Sequence, residues 1–164
     1  MLESRNPPDA TVRKTLSIGC SVAHAFTVFT EKMGQWWPAT HHVGDVPFVE
    51  INLDRRTGGA WYEINANGER GEWGHVLAWE PPHRVILSWH LDAKFQYHPE
   101  LERASELELR FIEEGPSRTR VELTHRHLER HGEGYEGLRE LLDGGWVGVM
   151  AQFQELAEAT RVKT

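Results

Sequence analysis

Six strand-like segments follow one another between residues 48 and 127: "FVEINL", "GAWYEINA", "GEWGHVLAW", "RVILSWHL", "SELELRFIEE" and "RTRVELTHRH". The breaks "RTGG", "NANG", "EPPH" and "EEGPS" are turn signals, short enough for hairpins or meander turns. The segments therefore read as one antiparallel sheet. Alternation is cleanest late, with Leu107, Leu109 and Phe111 on one face and Val121 and Leu123 likewise. Glu106, Glu108, Arg110, Arg120 and Glu122 occupy the opposite faces, which read as a solvated side. One connection is longer and more polar, "DAKFQYHPELERA" at 92–104.

Helical spacing flanks this block. "TVRKTLSI" reads as a first strand, and Ser21 as the N-cap of a helix over "SVAHAFTVFTEKM", which Gly34 is expected to end. "GQWWPATHHVG" follows as a short second helix or a loop. The end of the chain spaces Leu138, Leu141, Leu142, Trp146, Val149, Met150, Phe153 and Leu156 along one helical stripe. Gly144, Gly145 and Gly148 each cost a helix interior about 1 kcal/mol against alanine, and are expected where the helix bends or nears another backbone. Residues 1–9, with their Pro-Pro stop, read as a flexible tail, and 10–164 as one α+β domain.

Composition excludes several function classes. A formal charge of −7 with no basic run argues against a nucleic-acid partner. No apolar stretch approaches the ~20 residues of a membrane span, and "MLESRNPPDA" lacks the apolar core of a signal peptide. The single cysteine, Cys20, rules out an internal disulfide and fits the cytoplasm. The unusual figures are 7 Trp and 10 His. Each tryptophan buries ~150–250 Å², so this many imply a thick core or an aromatic-lined cavity.

A strongly twisted antiparallel sheet curls around whatever covers its apolar face, and the long C-terminal helix is the obvious cover. Space left between the two is where ligands bind. The chain resembles the START-like (SRPBCC, Bet v 1-like) superfamily. Within it, the chain is most similar to the C-terminal-like domain of the activator of heat-shock protein 90 ATPase. The resemblance is carried by "AFTVFTEKMGQWWP", "DRRTGG", "GHVLAWEPPHRVILSW", "SRTRVELTHRHL" and "GGWVGVMAQFQEL", in that order across residues 11–160. It implies a helix-grip fold, a curved antiparallel sheet wrapped around the last helix with a mostly apolar cavity between them. The resemblance hands over no catalytic residue, because these motifs are architectural.

Each candidate has more than one reading. Trp37, beside Trp36, is a cavity wall at the mouth or a wedge across the core. Trp61, Trp89, Trp146 and Met150 are cavity walls or core; Trp73, whose register Gly74 leaves open through a bulge, joins them. If Trp61 faces inward, so does Glu63, which becomes a candidate acid or base in an apolar cavity. Its plainer reading is an edge location or a salt bridge to Arg84 or Arg110. His125 and His127, two apart on a strand, point the same way. They either contact a ligand or sit satisfied at the strand end. Their third reading, a metal site, needs a converging ligand such as Glu63 or His41. No metal and no cofactor is expected. His41 and His42 are adjacent, diverge, and reach water.

The sequence is best read as binding a small hydrophobic or aromatic molecule in that cavity. An alternative is a cyclase- or hydrolase-like enzyme with Glu63 or His125 as acid–base. A third reading, a chaperone-associated interaction module, needs an exposed apolar patch, which the charged outer strands disfavour. A homodimer is compatible with all three.

Overall fold

The computed structural model describes residues 10–43 and 45–161; the tail expected over residues 1–9 lies outside them. The chain runs β1 (Val12–Ile18), α1 (Val22–Glu31), α2 (Met33–Trp36), β2 (Phe48–Leu53), β3 (Ala60–Asn65), β4 (Arg70–Glu80), β5 (Arg84–Trp89), β6 (Ser105–Gly115), β7 (Arg118–Arg126) and α3 (Tyr135–Ala159). All seven strands pair antiparallel in the order β1-β7-β6-β5-β4-β3-β2. β2 to β7 form a meander, while β1 adds beside β7, so α1 and α2 carry the chain from one sheet edge to the other. α3 packs against β1, α1 and α2 inside the curl. This is the helix-grip arrangement.

Local chemistry sets the elements. Ser21 caps α1, its hydroxyl accepting from His24 N at 3.2 Å. Ala25, Phe26, Val28 and Phe29 then bury one face of that helix. α1 ends at Glu31, three residues before the expected stop, where Lys32 leaves helical backbone angles; Gly34 instead lies inside α2.

Trp73 is the extra residue of a bulge, because Trp61 pairs with Gly74 and Tyr62 with Glu72. The register left open by the sequence is thereby fixed, with Trp73 buried and His75 exposed. A Cβ on Gly74 would stand 1.8 Å from Ser88 O, so only glycine allows β4 to approach β5 here.

Two expectations need correction. Glu108 is not on a solvated face: its carboxylate is 9% exposed, beneath Arg84 (2.7 Å), Arg110 (3.4 Å) and Arg126 (3.1 Å). Those guanidiniums outweigh burial and hold its pKa below the usual carboxylate range. The glycines of α3 do not serve close approach either. A Cβ on Gly144, Gly145 or Gly148 would meet nothing within 4 Å.

Indole packs much of the interior. Trp36, Trp37, Trp61, Trp73, Trp89 and Trp146 are all buried. They form one connected cluster with ring centroids 4.9 Å (Trp37–Trp73) to 6.0 Å (Trp73–Trp89) apart. Every one of the six indole N–H groups has an acceptor. Trp36 donates to Val28 O, Trp37 to His41 O, Trp61 to Met33 Sδ, Trp73 to Glu63 Oε1, Trp89 to Leu91 O and Trp146 to His125 Nδ1. Burying so much amphipathic surface without orphan donors is what makes this core affordable.

Candidate functional site

A cavity of about 380 Å³ opens at the edge of the tryptophan cluster. Three elements enclose it: Leu141, Leu142, Gly145, Trp146 and Val149 of α3, the segment Trp37–His42 after α2, and Ala93–Phe95 of the long connection. Trp89 of β5 lies at its floor, which places the cavity between sheet and C-terminal helix. Its size falls in the ~300–1,000 Å³ range of small-molecule sites.

Each wall is held by identifiable bonds. The Trp37 indole donates to His41 O at 2.9 Å, folding the "WPATH" turn onto its own side chain. Asp92 Oδ1 accepts from Lys94 N (2.8 Å) and Gln96 N (3.0 Å), and Oδ2 pairs with His98 Nε2 at 2.9 Å. That turn forces Phe95 to φ 58, a left-handed conformation unusual for a bulky residue. The Phe95 ring meets His41, Trp73 and Trp89 edge-to-face, each 6.0 Å away.

The candidates from sequence fall into three places. Trp37, Trp89 and Trp146 stand on the cavity wall. Trp61, Glu63, Met150 and His125 are buried behind it. Glu63 does face inward, while Arg84 and Arg110 pair with Glu108. Glu63 accepts from Trp73 Nε1 (2.7 Å) and Val43 N (2.8 Å) and bonds Asn65 Nδ2, which ties the His41–Val43 segment to the sheet. His127 does not share the inward face of His125. β7 ends at Arg126, and His127 adopts φ 65, which breaks the alternation. Its ring is 42% exposed and lies 3.7 Å from Glu129.

His125 is the centre of a buried chain. The Trp146 indole, which can only donate, gives its N–H to Nδ1 at 3.2 Å. The proton of neutral His125 therefore sits on Nε2, 2.8 Å from Ser105 Oγ. Ser105 Oγ in turn lies 2.8 Å from His131 Nε2, nearer than its other acceptor, Trp89 O at 3.5 Å. Burial pushes the pKa of His125 down to about 3 and that of His131 to about 4. Neither is protonated near neutral pH. On the cavity wall itself, His41 has its pKa lowered by the same cause. Among the described residues, no three His, Cys, Asp or Glu side chains converge as a metal site.

Sequence reasoning missed His41, His42, Ala93, Lys94 and Phe95 as wall residues. The one signal for the last three was the aromatic pair Phe95 and Tyr97 in a polar, overlong connection.

The curled seven-stranded sheet gripping one long helix defines a protein of the Bet v 1-like (START-like) class. The family described as "Activator of Hsp90 ATPase homolog 1-like protein" matches residues 20–158, and the chain belongs to it. Its sequence is 38% identical to Txn09, an anthrahydroquinone-γ-pyrone synthase solved in complex with a ligand, over 88% of this chain and 95% of that one, with a TM-score of 0.65. It is also similar to CalC, a self-sacrificing resistance protein from Micromonospora echinospora (24% identity, 95% and 99% covered, TM-score 0.63). A third neighbour is the Aha1 dimer from Colwellia psychrerythraea (13% identity, 90% and 96% covered, TM-score 0.63). These last two show the fold alone. No curated protein matches the chain. No helix among the described residues is long and apolar enough to cross a membrane.

Proposed function

We propose that the chain binds a planar, fused-ring aromatic molecule in the 380 Å³ cavity, of the type made by aromatic polyketide assembly. The observation that carries this reading is the wall itself: Trp37, Trp89, Trp146, Phe95 and His41 present ring faces and edges around one space. Aromatic groups favour offset and edge-to-face contacts at ~4.5–7 Å, and a flat polycycle satisfies several at once. The likeness to Txn09, a synthase of an anthrahydroquinone-γ-pyrone, supports the same ligand class. The cytoplasm is the compartment this reading assumes, and a homodimer is compatible with it.

A second reading adds chemistry. His41 and His42 both border the cavity, and burial lowers the pKa of His41, favouring the neutral form a general base requires. Glu63 and His125, the sequence's acid–base candidates, stand behind the wall with their polar atoms engaged, so His41 replaces them in that role. The chaperone-module reading has less support: the Glu108–arginine network lies over β5, β6 and β7, and the exposed apolar residues Val49, Leu101, Leu141 and Val147 are spread over β2, the 92–104 connection and α3.

Calorimetric titration with 1,8-dihydroxyanthraquinone tests the binding reading, and it predicts saturable one-to-one binding. Absence of heat and of tryptophan quenching would contradict it.

A further inference from the structure

A second, smaller cavity of about 280 Å³ adjoins the aromatic one. The two share Ala93 and Lys94 as a common wall, and both run along α3: Leu138 borders the smaller, and Leu141, Leu142 and Gly145 the larger. They are therefore neighbouring hollows over consecutive turns of one helix, divided by a single strap of chain, and the smaller opens to solvent, with Lys94, Gln96 and Glu133 exposed. Their chemistry differs sharply. The larger chamber is walled by rings, whereas the smaller is lined by Asp92, Lys94, Gln96, His131, Glu133 and Tyr135.

This polar set selects among possible occupants. Gln96 and Tyr135 can each donate and accept, Glu133 accepts and Lys94 donates, while Asp92 is already engaged by Lys94 N, Gln96 N and His98. His131 also borders the chamber, with Nε2 2.8 Å from Ser105 Oγ. A carboxylate or phosphate here would stand beside Asp92 and Glu133, and an ammonium beside Lys94. Neutral hydroxyl groups, which donate and accept together, match all of these. At 280 Å³ the chamber is below the usual range for an independent small-molecule site, as expected of an annex.

We infer that the smaller chamber is a subsite for a neutral polyhydroxylated arm, such as a single sugar, carried by the aromatic ligand of the larger one. The inference rests on the proposed aromatic-binding reading. It makes the preferred ligand a glycosylated polycycle rather than the bare ring system.

Calorimetric titration of the full chain with three probes tests it: 1,8-dihydroxyanthraquinone, its mono-glucoside, and its 3-carboxylate. The glucoside is expected to bind about tenfold tighter than the parent, and the carboxylate no tighter than the parent. In a Gln96→Ala/Glu133→Ala variant, whose side chains leave the larger chamber untouched, the parent should bind as before and the glucoside should lose its advantage. A glucoside no tighter than the parent, or an advantage that survives the double substitution, overturns the subsite while leaving the aromatic reading intact. A carboxylate as tight as the glucoside overturns the neutral-arm assignment. Failure of the parent to bind overturns both readings.

Discussion

Trp146 donates its indole N–H to Nδ1 of His125 across 3.2 Å, joining the gripped helix to the inner face of β7. The same tryptophan is part of the cavity wall. One bond thus sets the histidine's tautomer and fixes the ring a ligand would touch. Trp146→Phe keeps an aromatic wall but leaves His125 Nδ1 without its donor in a fully buried site. We expect a loss of ~2–4 kcal/mol, combining a small cavity with an unsatisfied buried acceptor, measured by urea denaturation. A loss below ~1 kcal/mol would mean that the bond is not made.

Acid should weaken the fold earlier than its carboxylates alone would cause. His125 and His131 have folded pKa values depressed to about 3 and about 4, and that of His90 is also lowered, each mainly by burial. The unfolded value is ~6.5, so the unfolded chain binds protons first and stability falls as pH drops below it. The loss begins under pH ~6.5 and continues down to the folded values. Carboxylates held low, Asp92 and Glu108, add their own loss at lower pH. Thermal melts between pH 7.5 and 5 should show a falling Tm, reduced in His131→Gln. A flat profile would contradict the buried neutral histidines.

Trp37 is both wedge and wall. It is 4% exposed, packs against Trp36, Trp73 and Trp146, and still borders the cavity. Trp37→Ala should therefore cost ~3–5 kcal/mol as well as weaken ligand binding. Chemical denaturation of the variant decides between this dual role and a mouth residue, whose loss would leave stability nearly unchanged.

The alternation of the strands and the stripe of α3 made the sheet and its covering helix legible in the sequence, because burying one face imposes a period that local residues must obey. What that period could not reveal is where it stops or is overruled. His127 looked like a partner of His125 until a left-handed turn ended the strand one residue earlier. Glu108 looked solvated because alternation reports the face but not the arginines that fold over it. The cavity wall at Ala93–Phe95 depends on a turn built around the Asp92 carboxylate, which has no periodic signature.

The Glu108 network has its own test. Glu108→Gln removes the charge that Arg84, Arg110 and Arg126 surround. A loss of ~1–3 kcal/mol is expected, diminished in high salt because the partner guanidiniums are partly exposed. An unchanged midpoint in low-salt urea denaturation would show that solvent had already screened the cluster.

The most direct test of the aromatic cavity is at Gly145. It lines the space, and a Cβ there would meet nothing within 4 Å. Gly145→Leu fills the cavity from the helix side without a backbone clash, and removing a helical glycine favours the fold by up to ~1 kcal/mol. Titrating wild type and variant with 1,8-dihydroxyanthraquinone should give binding to the first and none to the second, with the variant's Tm equal or higher. Equal binding to both, in a variant that melts normally, would place the ligand elsewhere and contradict the account.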